Sequence, residues 1–126
     1  MKRVLGLTDL LRLKIFFKMK PLKGNKKIDF LFDKGVGVSS KFVRCVFLKQ
    51  EIDEIFYVVS VPKKSFPRAV DRNKIKRLLR EILRKNEGAI KNIGFGSYMI
   101  IYTHSSFVGF DALDKDVFSL FKIMVS

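Results

Sequence analysis

Several residue types are scarce in this sequence, and each shortage removes a class of protein. The 126 residues include no Trp, one His and one Cys. A single Cys excludes an internal disulfide framework and fits a reducing compartment. A single His without neighbouring Cys or clustered carboxylates gives no support for a zinc site or a catalytic triad. We interpret His104 as a loop or sheet-edge residue and Cys45 as a small buried residue in a strand.

Long apolar runs are lacking too. No segment approaches the roughly 18 consecutive apolar residues that span a bilayer. The apolar stretch after Lys2 and Arg3 is broken by Asp9, Arg12 and Lys14, whereas a secretory signal needs an uninterrupted core of about 7–15 residues. We therefore expect a cytoplasmic protein without a membrane partner.

Acidic residues are few, and the basic excess is local. There are 12 Asp and Glu against 26 Lys and Arg, for a net charge of +14. Residues 1–27 carry nine basic and one acidic side chains and residues 62–85 carry ten and two, so each segment has a net charge of +8. A hydrophobic content of 48% is too high for a disordered basic tail, and the charge attracts polyanions. We assign residues 1–20 to a basic extension, disordered or preceding a start at Met19, and residues 21–126 to one domain.

A short helix is predicted at the start of this domain. It begins after Asn25, a good N-cap residue, and ends at Gly35. Ile28, Leu31 and Phe32 follow the i, i+3, i+4 spacing of one buried stripe.

The strands that follow predict a small sheet covered by helices. Residues 42–48 and 55–61 are rich in β-forming residues, and we interpret them as an antiparallel hairpin. A third run occupies residues 97–103, and Asp111 can cap a last amphipathic helix. With the basic helix described next, these runs follow the order helix, strand, strand, helix, strand, helix. The fold class is a mixed α+β (α/β) sandwich with the order α-β-β-β-α-β-α or close to it.

A basic amphipathic helix lies before the last strand. At 100° per residue its apolar positions form one stripe about 140° wide. These positions are Ile75, Leu78, Leu79, Ile82 and Leu83. The adjacent face is cationic and has no Glu to pair with it. It consists of Arg72, Asn73, Lys76, Arg77, Arg80 and Arg84.

The chemistry of this face favours phosphate. Arginine forks bind phosphate oxygens in pairs and stack on bases. Lys63 and Lys64 precede the helix, whose free N–H groups also favour an anion. A membrane helix would bury the apolar stripe in lipid, yet that stripe is needed to cover the sheet. A helix-turn-helix DNA reader needs several helices and no sheet, so RNA fits best.

Four segments resemble the protein subunit of bacterial ribonuclease P. Residues 69–81 resemble the Arg-Asn-Arg signature of that family, and residues 60–64 resemble its Val-x-Lys-Lys element at a strand end. Residues 22–35 resemble its Phe-rich first helix, and residues 98–101 its last strand. The segments occur in the family's order.

The resemblance implies a ribonucleoprotein endonuclease that removes the 5′ leader of precursor tRNA, with the catalytic centre and its Mg²⁺ ions in the RNA subunit. The protein would supply no catalytic residue and no metal ligand. Its partners would be ribonuclease P RNA and precursor tRNA. The family fold also has a ribosomal-protein-like β-α-β unit with a left-handed crossover, against the usual hand.

The resemblance also assigns residues to two RNA-binding regions. The signature helix and its approach would bind the catalytic RNA through Arg68, Arg72, Asn73, Lys74, Lys76, Arg77, Arg80 and Arg84. The 5′ leader would lie in a cleft between the first helix and the sheet, beside Phe30, Phe32, Lys63 and Lys64.

The sequence departs from the family pattern at a few positions. Lys74 replaces the last Arg of the signature, which keeps the charge but loses the fork. Thr103 and His104 stand where the family commonly has Arg, and Cys45 or Val46 takes an aromatic position. Two alternatives stay open, a structural RNA-binding protein of ribosomal type and a general binder of DNA or anionic surfaces.

Overall fold

The computed structural model describes residues 19–125, so the predictions for residues 1–18 lie outside the described part of the chain. The strands are β1 (Met19–Pro21), β2 (Val36–Ser39), β3 (Val43–Lys49), β4 (Ile55–Ser60) and β5 (Gly96–Tyr102). The helices are α1 (Asn25–Lys34), α2 (Ala69–Lys85), α3 (Glu87–Ile93) and α4 (Phe110–Val125). The sheet therefore includes Met19 and Lys20, which the sequence assigns to the N-terminal extension.

The five strands form one mixed sheet in the order β1-β4-β5-β3-β2. Strand β4 runs parallel to β1 and β5, whereas β3 is antiparallel to β5 and β2. The predicted sandwich is confirmed, and the structure adds β1 and the short helix α3 to the predicted order. Helices α2 and α3 connect the parallel neighbours β4 and β5. The left-handed sense of this crossover stays a prediction.

The predicted hairpin between residues 42–48 and 55–61 is wrong. Strand β5 lies between β3 and β4, so that Ile100 pairs with Cys45 on one side and with Val59 on the other. Six of the seven residues of β5 are buried, and a strand shielded on both faces belongs at the centre of a sheet. The polar link after β3 suggested a hairpin, but the true hairpin joins β2 to β3.

The alternation of side chains along the strands separates two cores. The larger core lies between the sheet and helices α2, α3 and α4, and it contains Cys45. The smaller core lies under α1 and consists of Leu31, Val46 and Met99 with half-buried neighbours. Burial of Cys45 is thus confirmed, and burial raises the pKa of its thiol to about 12. This thiol stays protonated near neutral pH and is unreactive.

Helix α1 packs on the sheet through a narrow stripe. Leu31 is fully buried, but Phe30 and Phe32 are 55% and 57% exposed. The predicted burial of Phe32 is therefore wrong. Because Leu31 points at the sheet, residues 100° to either side of it project to the two flanks of the helix. The helix starts at Asn25 itself, and Gly24 with φ of 101° is its cap.

Helix α2 buries four of its five predicted apolar side chains and leaves Leu78 half-buried, and α4 buries one apolar face. In α2 these are Ile75, Leu79, Ile82 and Leu83, and in α4 they are Leu113, Val117, Leu120 and Phe121. Asp111 is the second residue of α4, which begins at Phe110, so its predicted place as the cap is wrong. Among residues 19–125, no helix has the length and apolar content needed to cross a membrane.

Two carboxylates attach α4 to the rest of the domain. Asp116 accepts hydrogen bonds from the Ser40 hydroxyl at 2.7 Å and from the backbone N–H of Phe42 at 2.9 Å. Asp114 accepts bonds from the Lys85 ammonium at 2.5 Å and the Asn86 amide at 2.9 Å. The second carboxylate joins α4 to the end of the basic helix α2, so it also fixes where that helix ends.

We expect the Asp114 contacts to make stability depend on pH. The Lys85 hydrogen bond, followed by the Asn86 bond and the Lys85 charge, holds the pKa of Asp114 below its ordinary value of 3.8. A lowered pKa in the folded state stabilises the protein above the ordinary value, and the contribution disappears as the pH falls through the folded-state pKa. Urea unfolding at several pH values should show a shallower acid decline in Asp114→Asn than in the original protein. Identical acid declines would contradict this linkage.

Gly35 ends α1 where space is short. Its φ of −74° suits any residue, but a Cβ atom there would lie 2.6 Å from the Leu31 carbonyl oxygen and 2.6 Å from Val46 Cγ1. We expect Gly35→Ala to lower the free energy of unfolding by about 1–3 kcal/mol through overpacking. Gly88→Ala in α3 is the matched control, because its Cβ would meet nothing within 4 Å. That change should stabilise by about 0.5–1 kcal/mol, and equal stabilities in urea would contradict the close approach.

Candidate nucleic-acid interface

Helix α2 presents a row of arginines to solvent. Arg77, Arg80 and Arg84, here called the arginine row, are all exposed and follow the spacing of one helix face. Within residues 19–125, no carboxylate forms an ion pair with any of the three. Their guanidinium groups are therefore available to an external anion. Lys76 lies half-buried on the same side, and Asn73 is exposed.

Arg72 has a structural task that the sequence did not reveal. Its Nη1 atom donates hydrogen bonds to the carbonyl oxygens of Phe66 at 2.9 Å and Pro67 at 2.8 Å. These bonds tie the start of α2 to the turn before it. Arg68 is exposed and approaches Asp71 at 3.9 Å, which is a weak surface contact. Of the predicted RNA-binding residues, Arg72 is thus the one most committed to the protein's own structure.

The turn between β4 and α2 is anchored by Phe66, close to the start of α2. The Phe66 N–H bonds to the Pro62 carbonyl oxygen at 3.1 Å, and the Phe66 ring packs edge-on against Tyr102 with ring centroids 5.8 Å apart. Lys63 and Lys64, which lie between these anchors, are exposed. The turn therefore holds two cations next to the start of α2.

Helix α1 divides the open face of the sheet in two. On one flank lies a cleft of about 470 Å³ between α1 and the first residues of β4 and β5. It is lined by Phe30 together with Lys26, Lys27, Phe56 and Gln50. The Gln50 side chain accepts a hydrogen bond from Ser97 at 2.7 Å.

Phe32, Lys63 and Lys64 do not line this cleft. Phe32 projects to the other flank of α1 because it lies 200° from Phe30 around the helix. The last residue of β4, Ser60, lies roughly 13 Å along the strand from Phe56. Lys63 and Lys64 come after Ser60 in the chain. The structure therefore separates the four predicted leader residues. Phe30 lies on one side of α1, while Phe32 and the two lysines lie towards the other.

The described residues do not form a metal site. Between residues 19 and 125, no three His, Cys, Asp or Glu side chains come close enough to hold an ion. His104 packs edge-on against Phe42, with ring centroids 4.9 Å apart, in the loop that follows β5. Its interpretation as a loop residue is confirmed. Residues 19–125 therefore contain no cluster of side chains that could bind Mg²⁺.

Comparisons of sequence and of fold show which known proteins this chain resembles. Residues 16–125 match the model of the family described as Ribonuclease P. The chain belongs to the ribonuclease P family. Its function is accordingly that of an RNA-binding protein component in tRNA processing, with ribonuclease P RNA as the partner. No observation favours the ribosomal-type alternative.

Individual relatives agree with the family match. The ribonuclease P protein component of Nitrosococcus oceani is 39% identical over 57 residues, which are 45% of this chain and 48% of that protein. The one from Syntrophomonas wolfei is 26% identical over 108 residues, 83% of this chain and 87% of that protein. The ribonuclease P protein of Thermotoga maritima superposes with a TM-score of 0.71 at 25% identity, covering 82% of this chain and 96% of that one.

Sequence reasoning did not single out several residues that line pockets in the described part of the chain. Lys26 and Lys27 line the Phe30 cleft, and their i+3 and i+4 spacing to Phe30 was a usable signal. Phe107 is 48% exposed and lies beside Lys74, but a lone aromatic residue in a polar loop produces no periodic pattern. Phe56 also forms part of the cleft wall.

We expect the arginine row to account for much of the affinity for ribonuclease P RNA. Arg77→Ala combined with Arg80→Ala should weaken binding and lower the slope of log affinity against log salt by about two units, because two phosphate contacts are lost. Lys49→Ala combined with Lys115→Ala removes the same charge elsewhere and is the matched control. Fluorescence anisotropy with labelled RNA at several salt concentrations measures both. Equal slopes for the two double variants would reject this face.

Proposed function

We propose that this chain binds the catalytic RNA of ribonuclease P through α2 and holds the 5′ leader of precursor tRNA beside α1. The observation that carries the proposal is the arginine row, which is exposed, single in sign and without a carboxylate partner in the described chain. Uncompensated arginines repel one another in the free protein, and a phosphate backbone removes that repulsion.

The protein's task in this proposal is electrostatic and positional. Catalytic RNA and precursor tRNA are both polyanions, so their association is opposed by phosphate repulsion and needs cations. The arginine row and the lysines of the turn supply fixed positive charge. Holding the leader in a defined place also converts part of substrate binding into an intramolecular event. Cleavage should then require less Mg²⁺.

The cleavage chemistry is assigned to the RNA subunit. Described residues of this chain do not cluster as Mg²⁺ ligands, and the pKa of the Cys45 thiol is raised by burial. In this proposal the phosphate oxygens of the RNA hold the Mg²⁺ ions, as the resemblance to the family implies. The protein's own residues bind and orient the two RNA molecules.

For the leader we propose the flank of α1 that carries Phe32. This flank faces the ends of β4 and β5, where Lys63 and Lys64 begin the turn into α2. Helix α2 lies over the opposite face of the sheet, and the turn with Lys63 and Lys64 joins β4 to its first residue. Phe32 offers an exposed ring for a base to stack on, and the lysines contact phosphates. The Phe30 cleft opens at the opposite ends of these strands.

Reconstitution with a bacterial ribonuclease P RNA tests the whole proposal. The protein should restore leader cleavage at an Mg²⁺ concentration where the RNA alone is nearly inactive. Phe32→Ala should weaken binding of precursor tRNA by about tenfold, the lower part of the range for one stacked base, and leave binding of mature tRNA unchanged. Phe30→Ala is the matched variant on the other flank and should have a smaller effect.

Three results would contradict the proposal in different ways. Absence of any stimulation by the protein would reject the role in cleavage and leave a purely structural RNA-binding protein. Stimulation with a larger loss in Phe30→Ala than in Phe32→Ala would place the leader in the Phe30 cleft instead. Comparable affinity for duplex DNA at the same salt concentration would show that binding is only general attraction of anions.

A further inference from the structure

Phe107 is an exposed aromatic ring in a loop that is held rigidly. The loop between β5 and α4 is anchored on both sides of it. Before Phe107, the Tyr102 hydroxyl donates a hydrogen bond to the Ser106 carbonyl oxygen at 2.6 Å. After it, Val108 is buried at 9% exposure, whereas Phe107 itself is 48% exposed. The ring is therefore presented to solvent by an ordered backbone.

The ring lies against the signature helix. The Lys74 ammonium is 4.6 Å from the centroid of the Phe107 ring, within the range of a cation–π contact. Together with Phe66, Asp71 and Ile75, these two residues line a pocket of about 420 Å³. That volume is sufficient for a nucleobase and lies within the usual range of small-ligand sites.

The position of this pocket favours RNA as its occupant. Lys74 lies about 60° around α2 from Arg77, so the pocket borders the arginine row. Its chemistry also suits an unpaired base. Phe107 offers a π-face for stacking, Lys74 a cation for the adjoining phosphate, and the Asp71 carboxylate an acceptor for an exocyclic amine.

We propose that Phe107, with Lys74 and Asp71, forms a site for one unpaired nucleobase of the catalytic RNA. This inference rests on the proposed docking of that RNA on α2 and adds a contact that reads a base instead of the backbone. It also gives a role to the lysine that replaces the last arginine of the signature. The Lys74 ammonium lies over the Phe107 ring, and the side chain forms part of the pocket wall.

The chain has an internal control for this site. Phe118 on α4 is 43% exposed, and the Lys122 ammonium lies 5.3 Å from its ring centroid. The pair resembles Phe107 with Lys74 in exposure and in cation–π geometry, but it belongs to a helix that carries none of the arginine row. A general effect of removing an exposed ring should therefore appear at both Phe107 and Phe118.

The first experiment measures affinity of the full chain for a bacterial ribonuclease P RNA. Phe107→Ala should weaken binding about tenfold without changing the salt slope, because stacking neutralises no phosphate. Lys74→Gln should lower the slope by about one unit. Phe107→Tyr should retain affinity, and Phe118→Ala should bind like the original protein. Urea unfolding of each variant shows whether the fold is intact.

The second experiment uses the absence of Trp from the sequence. In Phe107→Trp the new indole is the single tryptophan, and stacking of a base should quench its fluorescence when the RNA is added. Phe118→Trp should keep its emission. Unchanged emission in both variants, together with unchanged affinity in Phe107→Ala, would overturn the proposal. If the arginine double variant still loses affinity in that case, the proposed docking on α2 stands and only the base site fails.

Discussion

Burial of β5 on both faces is the constraint on which the rest of the structure depends. A strand with apolar side chains on both sides needs strands at both edges and helices above and below it. The sheet meets this need by placing β5 between β4 and β3. Because β4 and β5 are parallel, the chain between them must cross the sheet, and α2 is the main part of that crossing. Its apolar stripe covers β5 and β4, so the arginine row is turned to solvent.

The charges of the molecule divide according to whether they have partners. Lys85 and Asn86 at the end of α2 bind Asp114, and Lys20 pairs with Glu54 at the edge of the sheet. These contacts hold elements of the fold together. The arginine row has no such partner within residues 19–125, although α4 supplies carboxylates nearby. A helix that keeps one face cationic in this way is less stable alone and better suited to bind a phosphate backbone.

Local patterns in the sequence predicted the elements but not all of their neighbours. The amphipathic stripes of α2 and α4 were predicted correctly because helix periodicity reports directly which face is buried. Pairing of β3 with β5 joins residues about 50 positions apart, and periodicity contains no information about that partner. Phe32 was misplaced for a related reason. Its spacing matched a buried stripe, but α1 touches the sheet along a line only wide enough for Leu31 and its half-buried neighbours.

In the candidate interface, too, the local sequence predicts some features and only the tertiary structure shows others. The exposed cationic face that contains Arg77 and Arg80 was predicted because a run of one charge at helix spacing is visible in the sequence. Arg72 carries the same charge, yet its Nη1 atom is occupied by the carbonyl oxygens of the preceding turn. That contact depends on where the turn packs, which is decided by the Phe66 ring against Tyr102. Helix α2 therefore carries arginines of two kinds. Arg72 shapes the turn that presents Lys63 and Lys64, and the arginine row stays exposed to solvent.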